Sequence, residues 1–118
     1  MEIVSTSPSK RFELRVDVYE ARNSLWVHSP SIWDADQECR VFVFDHEAWS
    51  VESNVWLGET IVRLLLRKFP GNHYPDHLWA EIDCVALTAV VLANAAFPPT
   101  STPLIYLEKT LNQALVWR

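Results

Sequence analysis

Read for the spacing of apolar and polar residues, the chain is dominated by short alternating runs. From Phe12 the alternation is strict: Phe12, Leu14, Val16 and Val18 interleave with Glu13, Arg15, Asp17 and Tyr19, the period of a half-buried strand. After the polar ARNS, Leu25 to Ser29 reads as its hairpin return. Pro30 and WDADQE break the pattern before an apolar run from Cys39 to Asp45, where Val41 and Val43 share one face and Phe42 and Phe44 the other. A run apolar on both faces predicts a central strand.

Residues 54 to 69 fit two templates. As a helix they place Leu57, Ile61, Leu64 and Leu65 on one stripe but put Gly58 in its interior, at a cost of about 1 kcal/mol relative to Ala. As a hairpin, Gly58-Glu59 forms a type II′ turn, and Val62, Leu64 and Leu66 line one face of the outgoing strand with Arg63 and Arg67 on the other. The hairpin is the better match. Pro70-Gly71-Asn72 marks a turn, Leu78, Ala80 and Ile82 start another strand, and the stretch from Leu87 to Ala93 reads as a last one. The alternative places helices at 54–69 and 76–96. Near the C-terminus, Leu104, Leu107, Leu111 and Leu115 recur on one helical face behind Thr102 as N-cap and Pro103 at the first helical position.

These elements predict an α+β fold: a mostly antiparallel sheet of about six or seven short strands with a C-terminal helix packed on one face. Residues 1–10, rich in Ser and without a core-facing pattern, are expected to be a flexible leader, and 11–118 a single domain. The N-terminus lacks the apolar segment of a secretory signal. The longest apolar stretch, residues 84 to 97, contains Thr88 and Asn94 and falls short of the roughly 20 residues that span a bilayer. Two cysteines without CxxC spacing suit buried, reduced thiols. A cytoplasmic protein without membrane association is the expectation.

Charge then narrows the function classes. The net charge is −5, and its distribution is uneven: residues 34 to 59 carry seven acids against Arg40 alone, whereas residues 60 to 69 carry three bases and no acid. Such a segment repels phosphate backbones and attracts cations or basic proteins. Nucleic acid is therefore not an expected partner, and the small basic group Arg63, Arg67, Lys68 and Phe69 does not reverse the balance. With two glycines, Gly58 and Gly71, the chain has no phosphate-binding loop. His73 and His77 have HxxxH spacing, but Pro75 between them opposes the helix that zinc ligation would need.

The acidic segment suggests a cation site. Asp34, Asp36 and Glu38 occupy positions 1, 3 and 5 of an EF-hand-like loop, and Asp45 occupies position 12. The match breaks at Cys39, where a Gly is required, and a strand of about 20 Å would separate Asp45 from Asp34. Asp34, Asp36 and Glu38 remain as candidate Ca²⁺ ligands, set against the plain reading of a solvated acidic turn. Trp33 and Trp49 flank the two acidic groups, so Trp33, Trp49, Asp45 and Glu47 are candidate contacts for a protein partner with a basic surface. No nucleophile, base and oxyanion donor can be assembled. The expectation is a small acidic non-enzymatic binding or regulatory module with an acidic, Trp-bearing surface; the alternative is a Ca²⁺-binding protein.

Overall fold

The computed structural model describes residues 2–22, 25–45, 49–69, 71–93 and 98–117. Eleven strands are present among them, in three antiparallel sheets, with one short α-helix near the C-terminus. The first sheet has the order β1-β2-β3-β4, formed by Glu2–Thr6, Phe12–Arg22, Leu25–Asp34 and Cys39–Val43. The second runs β10-β9-β8-β6-β5, from Thr100–Pro103, Thr88–Leu92, Leu78–Asp83, Ile61–Lys68 and Trp49–Trp56. A two-stranded ribbon pairs β7 (His73–Tyr74) with β11 (Val116–Trp117).

One apolar core is shared by the two large sheets and the helix. The alternation seen in the sequence puts Phe12 and Leu14 of β2, Val62, Leu64 and Leu66 of β6, and Leu78, Ala80 and Ile82 of β8 inside it. The leucine stripe at 104, 107, 111 and 115 closes one end. Its helix is shorter than its pattern suggests: Leu104–Tyr106 is a 3-10 turn and α1 spans Leu107–Gln113. Thr102 does not cap it; the residue is buried in β10 opposite Ala89, and its hydroxyl donates to the Pro103 carbonyl. Strand pairing satisfies the backbone there, so the N-cap role falls to Pro103, which has no side-chain hydrogen bond to give.

Several expectations are corrected. The strand count exceeds six or seven because four short or edge elements, β1, β7, β10 and β11, carry little alternation of their own. Residues 2–6 are an edge strand paired with β2 rather than a loose leader. Glu59 ties down the following loop, accepting hydrogen bonds from Ser7 Oγ at 2.9 Å, the Ser9 amide at 3.0 Å and Ser9 Oγ. Residues 49–68 are a hairpin, as the Gly58-Glu59 pair suggests, but its loop is wider than a two-residue turn: Leu57 N donates to Ile61 O, and Gly58 has φ of 153°. The β4 strand, expected to be central, is an edge with β3 as its neighbour. Of the six tryptophans, only Trp49 is fully buried, while Trp26 and Trp117 are exposed and Trp33, Trp56 and Trp79 lie half-buried.

Candidate functional site

The acidic turn joins β3 to β4. Asp34 faces Cys39 across the ladder, and residues 35 to 38 form the loop. One carboxylate oxygen, Oδ1, accepts the amides of Asp36 and Gln37, both at 3.1 Å, while Oδ2 accepts Arg11 Nη2 at 3.2 Å. Asp34 is buried, which pushes its carboxyl up, but the Arg11 hydrogen bond and the two amides outweigh this and hold it below the ordinary carboxylate range. The same contact raises Arg11. Asp36 and Glu38 are exposed and the three carboxylates do not converge. Among the described residues, no group of three His, Cys, Asp or Glu side chains is arranged to hold a metal ion.

The aromatic candidates separate. Trp49 is enclosed at 0 % exposure, stacked on Phe44 at 5.7 Å with Lys68 Nζ 5.5 Å from its ring. It is therefore core and not a contact surface. Trp33 is half-buried on the outer face of the first sheet, donates Nε1–H to Ser31 Oγ, and carries the Arg15 guanidinium 4.5 Å from its ring and that of Arg40 5.8 Å away. Its ring is covered by two guanidinium groups, one of which, Arg15, is paired with Glu13 on the neighbouring strand. Glu47 lies outside the described residues. Asp45 is exposed, with its amide donating to Glu108 Oε1 at 2.8 Å.

Asp45 leads to the feature that the linear pattern does not reveal. Beside the edge strand β4 runs a trough of about 460 Å³, walled by Val41, Phe42 and Val43 on one side and by Leu87, Leu104 and Ile105 on the other. The far wall is fixed by a hydrogen bond from Leu104 N to Leu87 O. Ile105 is 81 % exposed. A second trough of about 520 Å³ shares Asp45, Ile105 and Glu108 and extends along α1 to Asn112 and Gln113. Arg40 stands at one end of the first trough and Asp45 with Glu108 at the other. The signal in the sequence was Ile105, an apolar residue that falls off the leucine stripe and so has no core position.

Among the described residues, neither thiol nor His73 belongs to a reactive centre. Burial, with Asp83 nearby, pushes the Cys84 thiol up to about 12, so it stays protonated and inert. Cys39, expected to be buried, is exposed at the edge of β4. His73 is buried with its ring nitrogens against the carbonyl oxygens of Pro75, at 2.7 Å, and Lys68, at 2.9 Å, and it makes an edge contact with Trp117. It joins the β7–β11 ribbon to β6.

The fold and the trough define a β-rich domain whose first sheet, among the described residues, ends at an open β4 edge. No family model, curated protein or solved structure matches the chain. No helix among the described residues is long and apolar enough to cross a membrane.

Proposed function

We propose that the protein is a small non-enzymatic binding module that engages a partner protein through the trough beside β4. The observation that carries this reading is the edge of β4, unpaired among the described residues and facing an apolar wall with Ile105 at 81 % exposure. A sheet edge offers backbone donors and acceptors to an added strand, and flanking pockets select its alternate side chains. A strand laid along β4 would cover Val43, Leu87 and Ile105 and bring a basic residue to Asp45 and Glu108. The basic partner expected from the acidic segment is thereby assigned to this end of the trough, not to a face built on Trp33 and Trp49. The unpaired cysteines suit a reducing, cytoplasmic setting.

The test uses an extended synthetic peptide of alternating Thr and Val with one terminal Lys, titrated into labelled protein and followed by amide NMR. Shifts confined to residues 40–45 and 104–108, and lost on Ile105→Asp, are expected. Shifts that fall elsewhere, or none at concentrations where Ile105→Asp and wild type are both folded, would sink the reading.

A further inference from the structure

We infer that the strand taken up at this edge is β4 of a second copy of the chain, so that the protein forms a twofold dimer with one continuous eight-stranded sheet; this rests on the strand-addition reading. The charges select the occupant. A strand pairing antiparallel with β4 must present an acid to Arg40 and a base to Asp45, with apolar residues between. Reading along that incoming strand from its N-terminus, the pattern is base, apolar run, acid. Residues 40–45 are RVFVFD, which is that pattern, and the strand is therefore complementary in charge to a reversed copy of itself.

The geometry is consistent with the symmetry. Two antiparallel edge strands related by a twofold axis must place one residue opposite its own copy, because the axis is normal to the sheet. With Val41 as the extra residue of the β4 bulge, centring on Val43 sets Phe44 opposite the partner's Phe42 and Asp45 opposite the partner's Arg40 and Val41. Arg40 then lies on the same face as the partner's Asp45, within the reach of its long side chain. The β3–β4 register shifts between Ile32 and Trp33, so Arg40 pairs with Trp33 and Val43 with Ser31. That irregularity turns Arg40 to the outer face that Val43 also occupies. Each copy would then bury the exposed Val43 and the trough walls around Leu87 and Ile105.

A bulge and a lone Arg on an edge strand normally discourage pairing. Here they confine it to a partner that offers an acid at the matching position, and the same chain does. Arg40 and Asp45 are both exposed in the single chain, so reversing either charge leaves the core untouched.

Sedimentation equilibrium on wild type, Arg40→Asp, Asp45→Arg and the double variant tests this. Wild type is expected to show a monomer–dimer equilibrium, each single reversal to weaken it at least about tenfold, and the double variant to restore it, since the pattern is then acid, apolar run, base. Hydrogen exchange of amides 41–44 in wild type should slow as protein concentration rises. A monomer at all concentrations, a dimer indifferent to both single reversals, or a double variant no better than the singles overturns the inference. If wild type is monomeric while the Lys-ended peptide still binds at residues 40–45, self-pairing fails and strand capture stands; if the peptide also fails, the trough reading falls with it.

Discussion

Replacing Trp49 with Phe tests whether this residue is core or contact surface, and it separates two terms that usually act together. Trp49 is fully buried, yet among the described residues its indole Nε1–H has no hydrogen-bond partner. Phe keeps the stack on Phe44 and removes the orphaned donor. Against it stand three losses. The volume difference, roughly 40 Å³, at about 24 cal/mol per Å³ of residual cavity gives about 1 kcal/mol. The apolar area lost, roughly 40 Å² at about 25 cal/mol per Å², gives about another 1 kcal/mol. The Lys68 contact with the ring adds about 0.5 kcal/mol. Relief of a buried unsatisfied donor returns about 1–3 kcal/mol. Trp49→Phe should therefore fall between a loss of about 1.5 and a gain of about 0.5 kcal/mol relative to wild type, whereas Trp49→Ala, which empties the site, should lose about 3–5 kcal/mol. Urea unfolding followed by far-UV circular dichroism measures both. A loss above about 3 kcal/mol for Trp49→Phe would mean that Nε1–H is satisfied in solution and that the substitution relieves no buried donor. Peptide binding at β4 should be the same for Trp49→Phe as for wild type.

Acid stability should depend on Asp34 and Glu59. Both carboxyls are held below their ordinary values of 3.8 and 4.5, Asp34 by Arg11 and two amides against the opposing effect of burial, Glu59 by Ser9 and Ser7. A depressed folded-state value contributes stability that is full above the ordinary value and is lost as pH falls through the folded one. Wild type should therefore lose urea resistance below about pH 5, and Asp34→Asn with Glu59→Gln should start lower but fall less steeply; parallel curves would refute the linkage. Glu38 has φ of 52°, a conformation that is costly for L-residues by roughly 1 kcal/mol, so Glu38→Gly should be neutral to stabilising by about 0.5 kcal/mol in the same assay, and a loss above 1 kcal/mol would contradict it. Because Asp34 is committed to Arg11 and the loop amides, millimolar Ca²⁺ should leave the melting temperature unchanged; a rise would reveal native-state binding.

The strand cores were legible from the sequence because burial of one sheet face imposes a period of two on the side chains. Leu78, Ala80 and Ile82 show this without ambiguity, and so do Val62, Leu64 and Leu66. Where pairing is made by backbone alone, the side chains keep no record of it. The β1 strand, with Ile3 and Val4 exposed, and the two residues of β7 are examples. The β4 strand misled for a different reason: Phe44 lies in the core and Val41 and Phe42 pack against it, but Val41, Phe42 and Val43 also border an open trough rather than a second layer. An apolar run is evidence of surface that avoids water, and it does not say whether the chain itself supplies the cover. The site was partly legible for the same reason. Asp45 belonged to it, but the wall opposite comes from residues 87 and 103–105, which no local spacing connects to residue 40.

The acidic turn finds its explanation in a second hairpin that has no acid cluster at all. In the β8–β9 connection, Asp83 Oδ1 accepts the amides of Val85 and Ala86 at 3.0 and 2.9 Å, and Leu87 has φ of 57°. Asp34 does the same for Asp36 and Gln37, with Glu38 at φ of 52°. Even the incoming backbone matches: Ala35 N donates to Arg11 O at 2.7 Å and Cys84 N to Thr60 O at 2.8 Å, each carbonyl belonging to the residue before the neighbouring strand. An Asp that opens such a loop satisfies two amides its strand ladder cannot. Since DCVALT makes the turn with one carboxylate, only Asp34 of DADQEC is required for it. Asp36 and Glu38 are then exposed surface charges beside the N-terminal end of β4. There they add negative potential next to Arg40.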